Sequence, residues 1–494
     1  MRRTLNNAFL SILPLLLCAC TVGPDFVPPN AETGPTYTSP DDATLPGGQH
    51  LALDKPVDHS WWKQLQSPAL NGLMDAALAD NRHVAAARAR VAQAQEATAA
   101  AQGALLPSVS LGVQIGEQNT IIGQRTPLKV TLPAFTYYAV SPTGTYALDV
   151  FGGNKRAAEQ AAALAEYQNY ELNAATLSLA GNVAAQVLRN ASARAQIANI
   201  EGVIADDQRN VDLVQSAIDA GSATRTQLLS VQSQLASDRT LLPDFRQQEA
   251  ISRHALAILV GKAPGGWTAP KFALGDFSLP SEVPASLPSE LIHQRPDILA
   301  AESQLHAASA AIGVATAKLY PQITLSADTV LEALSPEALF TGPTNSWAIA
   351  SGLTAPIFDG GILRANQRGA VDAYRAALAD YQDIVLSAFR EIADDLQALV
   401  NDAGRVSAEK DAAQTAASAL DLARRSFEAG NSGVLDVIGA ERRLAEAQLG
   451  LSRADAQRLL DTVQLYVAVG GVPMLPQAAN PDDPDAPKKP CCSY

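Results

Sequence analysis

The amino-acid sequence predicts a mainly α-helical fold with membrane-type β-strands, built from a duplicated unit of one helical hairpin and one strand pair. Three observations lead to this fold class. A pattern of helix, strand, loop, strand, long helix, Ala-Gly turn and return helix runs over about 84–235 and again over 298–444. Each copy contains two segments in which apolar and polar residues alternate, which is the pattern of membrane strands. Four strands are too few for a transmembrane barrel, whose smallest usual number is about eight, so the chain is expected to assemble with copies of itself.

The composition favours closely packed helices over a compact aromatic core. Hydrophobic residues make up 47% of the 494 residues, and aromatic residues only 5%. The formal net charge of −14 argues against a nucleic-acid partner, because phosphate binding needs basic patches and the sequence shows none. The acidity itself has two interpretations, a solvated surface or an electronegative, water-filled lumen.

The first residues are expected to form a lipoprotein signal peptide over 1–19. Arg2 and Arg3 precede an apolar run over 8–17, which is too short to span a bilayer. The run leads into Leu17-Cys18-Ala19-Cys20, which matches a bacterial lipobox and predicts that Cys20 becomes the lipid-carrying N-terminus. Ordinary signal cleavage beside an incidental cysteine is the alternative. Thr21 stands where an aspartate would resemble an inner-membrane retention signal, which favours the outer membrane.

The first repeat is predicted over 70–261, after an N-terminal tether over 20–69. The tether is rich in Pro, Gly, Asp and Thr until Trp61-Trp62 begins packed structure. Proline-free residues 154–219 predict one helix of roughly 100 Å, because an α-helix rises about 1.5 Å per residue. The other predicted elements are a helix ending at Pro107, strands over about 107–116 and 137–150, a helix stop at Ala220-Gly221, and a return helix over 223–261 that kinks near Pro243.

The second repeat is predicted over 295–472, between a Pro-rich linker over 262–294 and a disordered tail over 473–494. Its first proline, Pro321, lies 214 residues after Pro107, so the two copies keep nearly the same spacing. The predicted elements are a helix from Ile298, strands over about 321–330 and 346–357, a proline-free helix over 362–428, the Ala429-Gly430 turn, and a return helix over 431–469.

The sequence carries no recognisable catalytic or metal-binding motif. The six histidines lack the His-Glu-x-x-His spacing of a helical zinc site, and no Gly-x-Ser-x-Gly elbow occurs. Gly261-Lys262 is followed by Ala263 and lacks the Ser or Thr of a phosphate loop. Asp394-Asp395 is expected to lie on a solvated helix face. We therefore expect no enzyme, no metal and no cofactor, apart from the covalent lipid on Cys20.

Cysteines are confined to the two ends of the chain. The four are Cys18, Cys20, Cys491 and Cys492, so the body between the second and the third can hold no disulfide framework and no cysteine zinc site.

Several short motifs occur in a specific order along the chain. They are Cys20 followed by Val22-Gly23-Pro24-Asp25-Phe26, Trp61-Trp62, Arg295-Pro296-Asp297-Ile298, Pro321, Pro356-Ile357-Phe358-Asp359-Gly360-Gly361, and Ala429-Gly430. Each motif is weak alone, whereas their order and spacing are specific. Together they resemble the outer-membrane factor family, the TolC-like outer-membrane efflux lipoproteins of the OprM/NodT-type branch. The resemblance covers nearly the whole mature chain.

The resemblance implies a homotrimer that completes a 12-strand outer-membrane β-barrel and a 12-helix periplasmic α-barrel. It implies an equatorial region formed by the linker and the termini. It also implies a lipid-anchored protein of a Gram-negative outer membrane, with a long periplasmic extension. Its partners would be outer-membrane lipid, a periplasmic adaptor (a membrane fusion protein) and an inner-membrane pump. Drugs, other small organic compounds or metal ions would pass through passively, as in multidrug resistance.

The resemblance also implies a gate at the Ala-Gly turns, with Gly221 and Gly430 at the periplasmic tip. Asp436 falls on an acidic family position that lines the aperture, whereas the next acidic position holds Gly439 and the first-repeat equivalent holds Gln227. Three Asp436 carboxylates per trimer would then form the gate ring. A solvated residue near a helix turn is the alternative. Further candidates for gate contacts are Arg225, Phe427 and Ser432.

Three functions remain open at this point. The first is the outer-membrane channel of a tripartite efflux system. The second is the exit duct of a type I protein-secretion system, which shares the fold. The third is a periplasmic coiled-coil adaptor or scaffold, for which one hairpin with surrounding β domains would be expected instead of two hairpins and two strand pairs.

Overall fold

A computed structural model describes most of the chain between the two ends. The described residues are 21–30, 49–53, 57–119, 121–122, 130–131, 133–285, 291–341, 345–473 and 475. The predicted signal peptide, Cys20, the Cys491-Cys492 pair and most of the predicted tail lie outside these residues.

Eight α-helices account for most of the described residues. Two of them have 67 residues each, as the proline-free stretches predict. They are α1 (Pro68–Asp80), α2 (Arg82–Gly103), α3 (Gly153–Asp219), α4 (Arg225–Arg239), α5 (Leu241–Leu259), α6 (Pro296–Ala317), α7 (Ile362–Glu428) and α8 (Val434–Ala468). The first return helix is interrupted at Thr240, between α4 and α5, close to the kink predicted at Pro243. No helix in the described part of the chain is both long and apolar enough to cross a membrane.

The long helices start in the same way in both repeats. The Asp149 carboxylate accepts hydrogen bonds from the first backbone N–H groups of α3, at 3.0 and 2.8 Å. The Asp359 carboxylate does the same for α7, including the N–H of Leu363 at 2.8 Å. These bonds satisfy N–H groups that the helix itself leaves without acceptors.

The strands form one main sheet and two small pairs. In chain order they are β1 (His50–Leu53), β2 (Ser108–Gln118), β3 (Ile121–Ile122), β4 (Val130–Thr131), β5 (Phe135–Leu148), β6 (Glu282–Ala285), β7 (Gln322–Ala333) and β8 (Asn345–Thr354). The main sheet is antiparallel in the order β2-β5-β7-β8, so each repeat supplies two adjacent strands. The predicted fourth strand was wrong beyond Thr354. Pro356 has no N–H to donate, and the Ile357 side chain is exposed.

The register places the alternating apolar residues on one face of the main sheet. Val113 pairs with Val140, which pairs with Leu331, and directly opposed residues share a face. The apolar side chains of the edge strands are exposed, Val109 and Ile349 at 81% and 77%. Pro142 interrupts only the ladder between β5 and β7, where a proline has no N–H to contribute.

A short parallel strand pair was not predicted from the sequence. β1, in the predicted tether, pairs in parallel with β6, in the predicted linker. The two strands are more than 220 residues apart, and each has only four residues, which is too short for a clear alternation.

The chain divides into two compact units, and each draws on both repeats. The first comprises 1–30, 90–168 and 301–381, and contains the main sheet. The second comprises 31–89, 169–300 and 382–494, and contains both hairpin turns. In the second unit Trp61 is fully buried, stacks on Tyr466 with ring centroids 5.4 Å apart, and donates to the carbonyl oxygen of Gly471 at 3.1 Å.

Candidate functional site

The two hairpin turns have the same backbone geometry. Gly221 and Gly430 both have a φ of 75°, in the left-handed region that glycine adopts without a steric penalty. In the first turn the N–H of Ser222 bonds to the carbonyl of Ala217, at 2.8 Å, and in the second the N–H of Asn431 bonds to Ser426, also at 2.8 Å. These bonds end α3 and α7 in the manner of a Schellman motif.

The two residues predicted as gate equivalents occupy the same position in their return helices. Gln227 is the third residue of α4, and its side chain accepts a hydrogen bond from the N–H of Thr224 at 2.7 Å. Asp436 is the third residue of α8, and its carboxylate accepts from the N–H of Gly433 at 3.0 Å. Both therefore cap a helix N-terminus, a role that sequence reasoning missed. The Asp436 carboxylate is also exposed, so capping leaves it accessible to solvent and ions.

The other predicted gate residues lie at the same two turns. Arg225 begins α4 and is exposed. Phe427 lies in the last turn of α7 and is 45% exposed, which is high for an aromatic side chain. The hydroxyl of Ser432 is shielded from solvent and has no hydrogen-bond partner. Gate closure by these residues stays a prediction.

A row of polar contacts joins α8 to the first hairpin. Four pairs carry it, with donor–acceptor distances from 2.5 to 3.2 Å: Asn199–Ser452, Gln196–Arg453, Asn210–Glu441 and Gln234–Arg442. Because these residues come from opposite repeats, the sequence repeat alone gives no sign of the pairing. The contacts hold the return helix of the second hairpin against the first hairpin.

Glu441 is the branch point of this row. One carboxylate oxygen accepts from Asn210 on α3 at 3.1 Å, and the other accepts from Arg424 on α7 at 2.8 Å. The Glu441 side chain is only 19% exposed, so its bonds are partly shielded from water. A single residue near the turn therefore connects three helices.

The Arg295-Pro296-Asp297 motif has a structural role. The buried Arg295 guanidinium donates two bonds to Asp297, at 3.0 and 2.7 Å, and contacts Glu391 on α7 at 2.8 Å. It also donates to the carbonyl of Ala468, at the C-terminal end of α8, at 2.7 Å. Burial opposes the charge of Arg295, but the two carboxylates outweigh it and raise its pKa. The motif thus fixes the end of α8 against α6 and α7.

The Val22-Gly23-Pro24-Asp25-Phe26 motif is fixed in the first unit by a second buried arginine. Arg156 donates to the carbonyls of Val22 and Gly23, at 3.3 and 3.4 Å, and pairs with Asp25 at 2.7 Å. Gly23 packs so closely on Gly313 that an added Cβ would lie 2.5 Å from the Cα of Gly313. The residue next to the predicted lipidation site is therefore anchored to α3.

The prediction for Asp394-Asp395 was half wrong. Asp394 is exposed, as expected for a solvated face, but Asp395 is only 6% exposed and one of its carboxylate oxygens has no hydrogen-bond partner. Burial, with the nearby charges of Glu391 and Asp461, raises the pKa of Asp395 to about 7. Helical periodicity placed the two neighbours on one stripe, whereas packing against α8 buries only one of them. Among the described residues no three His, Cys, Asp or Glu side chains are grouped to hold a metal ion.

Comparison with protein families gives a match over both repeats. The family model described as outer membrane efflux protein matches residues 73–262 and 287–471. These two segments contain both predicted strand pairs, both hairpins and all the predicted gate residues.

Curated relatives are similar over most of their length. The chain is 30% identical to the pyoverdine export outer membrane protein OpmQ of Pseudomonas putida KT2440, over 84% of this chain and 88% of that protein. It is 29% identical to nodulation protein T of Rhizobium leguminosarum bv. viciae, over 95% of this chain and 94% of that protein.

Solved structures share the fold. The outer-membrane channel OprN aligns with a TM-score of 0.82 at 25% identity, over 92% of this chain and 99% of that one. The open state of the MtrE outer membrane channel of Neisseria gonorrhoeae aligns with a TM-score of 0.81 at 25% identity, over 92% of this chain and 99% of that one.

Proposed function

This chain belongs to the outer membrane efflux protein family, and from that premise we propose that it is the outer-membrane channel of a tripartite efflux system. It conducts small molecules passively to the exterior, after a periplasmic adaptor and an inner-membrane pump have delivered them. The observation that carries the proposal is the four-stranded sheet, whose apolar face is exposed and whose two edge strands, β2 and β8, have no neighbour within the chain.

The sheet edges explain why the proposed working unit has three chains. An edge strand presents unpaired N–H and C=O groups, and in lipid such groups need a partner. Pairing β2 of one copy with β8 of the next satisfies both edges. Three copies supply twelve strands and, below them, the twelve helical columns that the sequence predicts. Lipidation of Cys20 would add an anchor next to the segment that Arg156 holds.

Small organic molecules are the proposed cargo. Relatives of this chain are named for the export of pyoverdine and of toluene. A passive duct needs no substrate-specific pocket, and the acidic tip favours neutral or cationic over anionic solutes. Protein secretion, the alternative duct function, has no specific observation in its favour.

Cysteine cross-linking tests the assembly directly. The chain has no cysteine between Cys20 and Cys491, so introduced cysteines report without background once the terminal pair is replaced by serine. We would combine Ser110→Cys, on β2, with a series of single cysteines along β8. A disulfide between chains, giving a trimer without reductant, is the expected result for at least one register.

A matched pair within one chain serves as the control. Thr143 on β5 and Asp328 on β7 are directly opposed, so cysteines at both positions should join within the chain and give no larger species. If this control forms and no position on β8 links two chains, the proposed closure is wrong. Cross-linked trimers that form no ion-conducting pores in planar bilayers would leave the assembly standing but contradict the channel function.

A further inference from the structure

Each helical hairpin buries one carboxyl group against a second carboxyl on the returning strand of the hairpin. Asp207 on α3 lies against Asp238 on α4, and Asp402 on α7 lies against Asp461 on α8. Asp207 and Asp402 are 9% and 8% exposed, and one oxygen of each has no hydrogen-bond partner. A buried polar atom without a partner is costly, so the two sites call for an explanation.

The two pairs have the same construction. Asp207 precedes the turn glycine of its hairpin by 14 residues and Asp238 follows it by 17, whereas the spacings for Asp402 and Asp461 are 28 and 31. The stagger across the hairpin is therefore identical, and the pairs lie two heptads apart along the seam. They are not equivalent positions of the sequence repeat, so the arrangement has arisen separately in each hairpin.

The outer carboxyl of each pair is held by a glutamine one helical turn earlier. Gln234 donates to Asp238 at 2.6 Å, and Gln457 donates to Asp461 at 2.9 Å. Asp238 and Asp461 are thus fixed as hydrogen-bond acceptors. Two carboxylates cannot bond to each other, because neither has a donor; one proton between them supplies the missing bond.

The charges around the first pair do not neutralise it. Asp206, beside Asp207 on α3, adds a further negative charge, and Arg442 on α8 is the nearest cation acting on Asp207. Arg442 itself donates to Glu446 at 2.8 Å. Burial first, and then Asp238, raise the pKa of Asp207 to about 7. The remaining charged side chains on the packed helices have other partners: Arg209, Arg239, Arg246, Glu201 and Glu441.

The second pair has two arginines nearby and is still protonated more readily than an ordinary aspartate. Arg405 on α7 and Arg458 on α8 oppose the shift, but burial first, and then Asp461, raise the pKa of Asp402 to about 7. Arg458 is buried and donates two bonds to Gln49, at 3.1 and 2.9 Å. The other charged groups near this pair are Arg189, Arg295, Glu391, Asp394, Asp395, Lys410 and Asp455.

We propose that each carboxyl pair binds one proton near neutral pH and forms a proton-dependent latch between the two helices of its hairpin. With the proton, the buried aspartate donates to its partner across the seam. Without it, two negative charges repel each other in a poorly solvated position, and the seam loosens.

The sign of the pH dependence follows from the direction of the shift. The folded hairpin holds a proton that the unfolded chain has already lost, so the stabilisation is complete at low pH and is lost as the pH rises through about 7. For a group with that pKa, the closing equilibrium of each hairpin should fall about tenfold between about pH 6 and about pH 8.

Hydrogen–deuterium exchange of the full-length protein in detergent tests the latch. After correction for intrinsic exchange, protection of amides along each hairpin seam should fall about tenfold over that range. Asp402→Asn should remove the change in the second hairpin only, because the introduced amide can donate to Asp461 without a proton. Asp207→Asn should do the same in the first hairpin only. Asp411→Asn, at an exposed position on α7, is the matched control and should leave both changes intact.

Infrared spectroscopy supplies a readout that a purely structural role would not move. The carbonyl band of a protonated carboxyl should disappear as the pH rises through about 7, and part of it should be missing in each variant. Asp461→Asn, which replaces the other partner, substitutes for Asp402→Asn if that variant does not fold. Equal pH dependence in wild type and both Asn variants, or a hairpin response to Mg²⁺ that replaces the response to pH, would overturn the proposal.

Discussion

Replacement of Arg295 by alanine should destabilise the protein more than replacement of any exposed arginine on the same helices. The guanidinium is buried, and it bonds to two carboxylates, Asp297 and Glu391, and to the carbonyl of Ala468. The alanine variant leaves all three acceptors without their donor. It also removes a cation from the C-terminal end of α8, where cations are stabilising.

The expected loss can be worked from these contacts. The Asp297 and Glu391 side chains are 41% and 39% exposed, so water replaces much of what the arginine supplied to them. The carbonyl of Ala468 lies beside a buried arginine and regains less, at a cost of about 1–3 kcal/mol for an unpaired buried acceptor. With a smaller contribution from the two carboxylates, the loss in the free energy of unfolding should be about 3 kcal/mol.

Guanidinium unfolding of the purified protein in detergent, followed by helical circular dichroism, measures this loss as a lower midpoint with an unchanged slope. Arg390→Ala is the matched control, because Arg390 is exposed on α7 and lines the same cavity as Arg295. Arg295→Lys keeps the charge without the planar fork and should fall between the two. If Arg295→Ala and Arg390→Ala unfold at the same concentration, the bonds of Arg295 contribute nothing measurable and the reasoning fails.

Three further predictions concern the turns and a close backbone contact. Asp436→Ala should raise single-channel conductance and weaken blockade by divalent cations in planar bilayers; Asp436→Gln, which keeps the capping bond, should do the same if charge is responsible, whereas an effect of alanine alone would point to the cap. Glu441→Ala should increase exchange of amides near both turns, and Glu446→Ala, one turn further along α8, should have a smaller effect. Gly261→Ala should destabilise the protein, because φ is +70° and the new Cβ would lie 2.5 Å from a backbone oxygen, whereas Gly202→Ala meets no atom within 4 Å and should be neutral or stabilising; equal stability of the two variants would contradict this.

The sequence predicted the repeated architecture well, because that information is local. Proline-free stretches gave both 67-residue helices, the Ala-Gly dipeptides gave both turns, and period-two alternation gave all four strands of the main sheet. The same motifs gave the family, which the family model and the relatives confirmed. The gate residues were located at the turns, but their capping bonds were missed because attention was on charge.

What the sequence by itself determined was therefore the type and order of the elements, since helix and strand periods and turn signals act over a few residues. The tertiary structure decided which polar side chains lose their water. Asp394 and Asp395 are adjacent, yet only Asp395 is buried, because α8 packs on one side of α7. Glu441 joins three helices, and Asp402 meets Asp461 across a seam, through contacts between residues far apart in the chain. Periodicity assigns a residue to a stripe of a helix, but only packing sets the dielectric around its charge.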